Sequence, residues 1–70
     1  MLKPKLKILL AQRNMTQREL AELTGIRPPT ISAMANGSAK HLPIEALNDI
    51  CRVLKCQFGD LYDYVEEESQ

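Results

Sequence analysis

The sequence has no tryptophan, one phenylalanine and two tyrosines, so any core must be built mainly from aliphatic side chains. It has three scattered glycines and no glycine-rich loop of the kind that cradles a phosphate. One histidine and the lack of a nucleophile–base pair at a recognisable spacing speak against an enzyme. Two cysteines allow one bridge at most, too few for a secreted disulfide scaffold. Met1-Leu2-Lys3-Pro4 leads into no apolar signal core, so the thiols point to a reducing, cytoplasmic setting. The longest apolar stretch is a few residues, far short of a membrane span. Extended β alternation, internal repeats and low-complexity linkers are missing too, which leaves an all-α fold. Seventy residues suffice for one small domain, marginally stable alone.

Net charge is also absent, with nine basic residues against nine acidic ones. The distribution is uneven. Residues 1–41 carry seven basic side chains and two acidic ones, a net of +5, and residues 42–70 carry the reverse, −5. Such asymmetry can attract phosphate to one face while the other is kept away from it.

Helix signals recur every ten to fifteen residues. Pro4 suits a first helical turn, and Leu6, Leu9 and Leu10 at helical spacing predict a first helix from about Pro4 to Arg13. Thr16-Gln17-Arg18-Glu19 forms a capping box, with Met15 and Leu20 at the staple positions around it. The second helix carries Leu20, Ala21 and Thr24 on one side and stops at Gly25. Arg27, held out of the helical region by the following proline, caps a third helix that opens on Pro28 and Pro29 and ends at Asn36-Gly37. Ile31, Met34 and Ala35 form its inner face. Pro43 opens a fourth helix whose inner face is Ile44, Leu47, Ile50, Cys51 and Leu54. A short fifth helix from Phe58 to about Tyr64 precedes an acidic tail over residues 65–70, leaving residues 1–64 as the domain.

Residues 17–36 read as one unit. Two short helices joined by three residues cross steeply only if a small residue lies at the crossing, here Ala21. A glycine must turn the chain, here Gly25, and apolar residues must lock the second helix onto the first, here Ile26, Ile31 and Met34. These coinciding requirements define a helix-turn-helix. The third helix, about residues 28–36, would then enter the DNA major groove and present Pro28, Pro29, Ser32, Ala33 and Asn36, with Thr30 at the edge. Arg27 is the one guanidinium there, suited to bidentate pairing with guanine. Ser32 can donate or accept, and Ala33 and the two proline rings can touch thymine methyls. So plain a surface predicts limited direct readout and a larger share for DNA shape.

The motifs Met15-Thr16-Gln17, Glu19-Leu20-Ala21, Thr24-Gly25-Ile26, Thr30-Ile31-Ser32 and Asn36-Gly37 resemble the Cro/C1-type helix-turn-helix family, also called lambda-repressor-like or XRE. Leu54-Lys55-Cys56 and Gly59-Asp60-Leu61 resemble a common form of its last helix, so the likeness spans roughly residues 3–64. It implies a compact five-helix domain with the third helix as recognition helix. It also implies a sequence-specific transcriptional regulator, a repressor of bacterial or phage type, acting on a double-stranded DNA operator. The resemblance gives Gln17 a phosphate contact, Asn36 a contact at the end of the recognition helix, and Ser38 and Lys40 contacts from the next loop. The candidate DNA-binding set is Thr16, Gln17, Arg18, Arg27, Pro28, Pro29, Thr30, Ser32, Ala33, Asn36, Ser38 and Lys40. Many members carry polar, base-reading residues where this chain has Pro28, Pro29 and Ala33, and the double proline removes two amides that could bond the DNA backbone.

Phe58, Tyr62, Tyr64 and Val65 exceed what so small a core needs once Leu61 is placed, which makes them candidates for a homodimer interface across paired half-sites. Cys51 and Cys56, with His41, make an incomplete zinc site, and their place on apolar positions predicts buried structural thiols. No metal, cofactor or small-molecule ligand is expected. Glu66-Glu67-Glu68 reads as a solubilising tail. The rival function is a protein-interaction module or antitoxin-like regulator that uses the same fold to bind a protein partner; net neutrality, the plain third helix and the surplus aromatics favour it.

Overall fold

The capping box at Thr16 forms as its chemistry requires. The Glu19 amide donates to Thr16 Oγ1 at 3.0 Å and the Thr16 amide donates back to the Glu19 carboxylate at 2.8 Å, opening α2 at Gln17–Thr24. Gly25, at φ 77°, takes the left-handed conformation that closes α2. Arg27 is extended, Pro28 and Pro29 occupy the first two positions of α3, Pro28–Asn36, and Gly37 at φ 80° ends it. The computed structural model describes residues 1–66. Around the α2–α3 pair it arranges α1 (Leu6–Gln12), α4 (Ile44–Leu54) and α5 (Phe58–Leu61), five helices in all among the described residues. Leu6, Leu20, Ile31, Met34, Ile50 and Leu61 are fully buried. Each such side chain contributes about 1.5–3 kcal/mol relative to exposure.

Three expectations from local pattern are corrected. Pro4 does not start α1. It lies in a three-residue strand, β1 (Leu2–Pro4), paired antiparallel with β2 (Tyr62–Tyr64) in the register Leu2↔Tyr64, Lys3↔Asp63, Pro4↔Tyr62. Flanking hydrogen bonds, Lys5 N–H to Leu61 O at 2.7 Å and Val65 N–H to Met1 O at 2.7 Å, set the phase of the ladder. In that phase Pro4 turns its nitrogen away from β2, so the missing donor breaks no ladder bond. The fifth helix correspondingly stops at Leu61 rather than Tyr64.

Ile44, expected on the inner face of α4, is 73% exposed, while Ala46, Ile50 and Leu54 are buried. At 3.6 residues per turn Ile44 lies about a third of a turn from the line through Ile50, and the small Ala46 takes the inner place. The Glu66–Glu68 tail begins at the edge of the described region; residues 67–70 lie outside it.

The ends of α1 and α4 share one device. Asn14 (φ 53°) and Lys55 (φ 54°) are left-handed without being glycine. The Met15 amide bonds Leu10 O at 3.0 Å and the Cys56 amide bonds Cys51 O at 3.1 Å. Both are six-residue closures of the Schellman kind, in which the residues at the two ends pack on each other. Cys51 and Cys56 occupy those packing positions in α4. They are free thiols, half-buried rather than fully buried. Burial, with Cys51 alongside, pushes the Cys56 thiol up to about 11. The Arg13 guanidinium, at the end of α1, donates to Leu54 O through Nη2 at 3.1 Å and Nε at 3.3 Å. It supplies an acceptor-facing cation where α4 leaves carbonyls unpaired.

Candidate nucleic-acid interface

The turn between α2 and α3 is held by Thr24. Its hydroxyl donates to Leu20 O at 2.8 Å and accepts the Ile26 amide at 3.2 Å, bridging the end of one helix to the turn. Ala21 is buried at the crossing, and Ile31, Met34 and Ala35 bury the inner face of α3 as the spacing predicts. Ile26 is half-buried against the same core. Thr24 could have been assigned this bridging role from sequence, since a threonine before the cap glycine can bond back to the preceding turn.

The opposite side of α3 is open. Pro28, Pro29 and Asn36 are exposed, and Thr30, Ser32 and Ala33 are half-buried, so the last two present less surface than expected. Asn36 Nδ2 donates to Ser32 Oγ at 3.3 Å, one turn away, which links the two polar groups of that face. The two prolines have no amide to offer, and the Thr30 and Ile31 amides both bond Arg27 O, at 2.9 and 3.2 Å. The first turn of α3 therefore has no free helical amide for a phosphate. The start of α2 differs: the capping box satisfies the Glu19 amide, and the Leu20 amide bonds Thr16 O. The amides of Gln17 and Arg18 have no acceptor among the described residues. A helix N-terminus with free amides favours an anion.

Arg27 is exposed and has no ion pair or hydrogen bond among the described residues, so its guanidinium is available. Arg18, also exposed, approaches Glu22 at 3.8 Å, a surface contact of little strength. After Gly37, the Ser38 and Ala39 amides both bond Ala33 O, at 3.0 and 3.2 Å, so the loop bearing exposed Ser38 and Lys40 leaves α3 in a fixed direction. The two oppositely charged halves of the sequence do not separate cleanly: Lys5 pairs with Asp63 at 3.1 Å across the strand ribbon.

The C-terminal aromatics divide. Tyr62 is 7% exposed and belongs to the core, not to an outer surface. Its hydroxyl donates to Met34 O at 3.2 Å, and its ring stacks on Phe58 with centroids 5.6 Å apart. Met34 O is among the last carbonyls of α3, which lack a partner within the helix. Burial raises the Tyr62 phenol above its ordinary value. Phe58, Tyr64 and Val65 are exposed.

Two short helices packed on each other, a left-handed glycine at the turn, an open third helix and free amides at the start of the second define a helix-turn-helix domain. The chain belongs to the Cro/C1-type HTH DNA-binding domain family, whose model matches residues 5–67. It is 39% identical over 61 residues, 87% of this chain and 73% of the relative, to the HTH-type transcriptional regulator YozG of Bacillus subtilis (strain 168). The crystal structure of the transcriptional regulator VanUg is similar with a TM-score of 0.76 at 31% identity, over 94% of this chain and 87% of that one. Among the described residues no group of three or more His, Cys, Asp or Glu is arranged to hold a metal ion. No described helix is long and apolar enough to cross a membrane.

Proposed function

We propose that this chain is a transcriptional repressor that places α3 in the major groove of an operator and binds paired half-sites as a homodimer. The observation that carries this reading is the exposed third helix, flanked by a free Arg27 at its start and by free amides at the start of α2. Thr16, Gln17 and Arg18 hold one phosphate, through the Gln17 side chain and the α2 amides. Arg27 reads a guanine, and Pro28, Pro29, Thr30, Ser32 and Ala33 seat closely against base edges and thymine methyls. Asn36, Ser38 and Lys40 continue the contact along the backbone. Since α3 offers one strong base reader and few polar tips, shape and deformability of the operator contribute a large share of the specificity. Phe58, Tyr64 and Val65, left exposed by the core, contribute to the homodimer surface.

Selection of bound duplexes from a random DNA pool, at low and moderate salt, tests the proposal. An enriched motif of two inverted half-sites about one helical turn apart is the expected result. Weak binding that vanishes with salt and enriches no motif would overturn it. That result would transfer the fold to the protein-interaction or antitoxin-like role.

A further inference from the structure

DNA binding leaves two reactive groups unused, the Cys51 and Cys56 thiols. Neither belongs to α2, α3 or the loop after α3, the elements assigned to DNA. Their placement is set by the end of α4. Lys55, at φ 54°, turns the chain left-handed, and the Cys56 amide reaches back to Cys51 O at 3.1 Å. In a closure of this kind the residues at the two ends of the bond pack their side chains on each other. A disulfide needs α-carbons about 4.4–6.8 Å apart and β-carbons turned toward each other. The backbone bond between the two residues supplies the first condition, and the packing of the cap supplies the second. Both thiols are free and half-buried, so a small reagent reaches them. They are not alike. Burial, the neighbouring Cys51 and Asp60 push the Cys56 thiol up to about 11, with the Arg13 guanidinium opposing them. Cys56 therefore keeps its proton at neutral pH, and the first attack falls to Cys51. Part of what holds that proton is charge on Cys51, which vanishes once the Cys51 sulfur is bonded to another sulfur.

We infer that Cys51 and Cys56 are a reversible dithiol–disulfide pair, with Cys51 as the attacking thiol, which a small-molecule disulfide oxidises to an intrachain bridge. The Cys51 thiolate attacks one sulfur of the reagent, and the thiolate released takes up the Cys51 proton. The Cys56 sulfur then displaces the second thiolate from Cys51 and gives it the Cys56 proton. The reagent gains two electrons and two protons and leaves as two thiols. The protein loses the same and gains one S–S bond. The bridge ties the last turn of α4 to the residue before Gln57, whose amide donates to the Asp60 carboxylate at 2.9 Å where α5 begins. Since α5 runs directly into β2, oxidation firms the joint from which the ribbon departs. Through the Tyr62 bond to Met34 O that firmness reaches the end of α3. The inference stands on the geometry of the cap and does not need the operator reading.

Equilibration of the full chain in glutathione buffers of graded ratio, quenched by alkylation and read by mass spectrometry, tests the inference. The expected product lacks two hydrogens, maps to a Cys51–Cys56 link, and passes only transiently through a glutathione adduct. Folding and bridge formation are linked, so the bridge should be favoured about tenfold or more in the folded chain over the urea-unfolded chain. The bridged form should melt about 5 °C higher or more and exchange its β2 amides more slowly, and dithiothreitol should reverse both. Single variants test the order of attack. Cys56→Ser should take up glutathione about tenfold faster than Cys51→Ser, because the thiol left in the latter holds its proton. A glutathione adduct that persists in the wild-type chain would overturn the inference. So would a bridge no more favoured in the folded chain than in urea, a bridged form that melts no higher or exchanges its β2 amides as fast, or a Cys51→Ser chain that reacts as fast as Cys56→Ser. If either serine variant fails to fold, the wild-type equilibrium and melting decide.

Discussion

Replacing Tyr62 by phenylalanine deletes one oxygen and keeps the ring, its burial and its stacking on Phe58. What is lost is the 3.2 Å bond to Met34 O. A typical internal hydrogen bond contributes about 1 kcal/mol net, and a buried acceptor left without a partner costs about 1–3 kcal/mol. Met34 O is near the end of α3 and recovers part of this by local adjustment, so Tyr62→Phe should destabilise by about 1–2 kcal/mol. In a domain of this size each kcal/mol lowers the melting temperature by about 4–8 °C. Urea and thermal unfolding measure the difference directly. The pH dependence gives a second check. Burial raises the Tyr62 phenol in the folded chain, so the folded state holds that proton more tightly than the unfolded state does. This contribution is complete below the unfolded value near pH 10 and is lost as the pH rises through the folded value. The stability gap between wild type and Tyr62→Phe should therefore narrow above about pH 10. Equal stability of the two proteins at neutral pH, or a gap that widens with alkalinity, would refute the reasoning.

Lys55→Gly should stabilise the protein by up to about 1 kcal/mol, because a non-glycine residue at φ 54° carries left-handed strain; chemical denaturation measures it. Gly25→Ala and Gly37→Ala should each cost about 1–2 kcal/mol through the same strain. The loss should be larger at Gly37, where the new methyl meets Pro4 at 3.3 Å, than at Gly25, which has open space; paired melting curves rank them. For DNA, Arg27→Ala should lose about 1–3 kcal/mol of discrimination at one base pair. Gln17→Ala should weaken binding alike on all sequences, as titration against a panel of single-base operator variants would show.

The parts of the fold that were legible in sequence are those settled within a few residues. Thr16 and Glu19 satisfy each other's amides, Gly25 and Gly37 tolerate positive φ, and Pro28 follows an extended Arg27. Each is local chemistry with one good solution, so α2, the turn and α3 emerge from the sequence with their inner faces correct. The ribbon was not legible. Its strands are three residues long, and their pairing joins residues more than fifty positions apart. Pro4 is as acceptable at an outward-facing strand position as at the start of a helix. Tyr62 was hidden for the same reason: its partner, Met34 O, is reached only after the ribbon folds back over α3. Ile44 misled because α4 is apolar on more than one side, and periodicity alone does not say which stripe faces inward. Of the candidate interface, the exposed Arg27 and the open face of α3 follow from that local chemistry. The reduced accessibility of Ser32 and Ala33 depends on their packed neighbours.

The ribbon also bears on how the domain opens. Its pairing closes a loop of nearly the whole chain, which is entropically the most demanding contact in the fold and is backed by few buried groups. Segments of this kind exchange their amide protons through small, local openings while the helical core stays closed. Because Tyr62 is the residue that follows α5 into β2 and also holds Met34 O, opening the ribbon frees the last turn of α3 at the same moment. The amides of β1, β2 and residues 37–39 should therefore lose protection together, as one cooperative unit, ahead of α2 and α4. In such a molecule the end of the recognition helix is only as firm as the pairing of two distant strands, and whatever clamps those strands also steadies the surface that faces DNA.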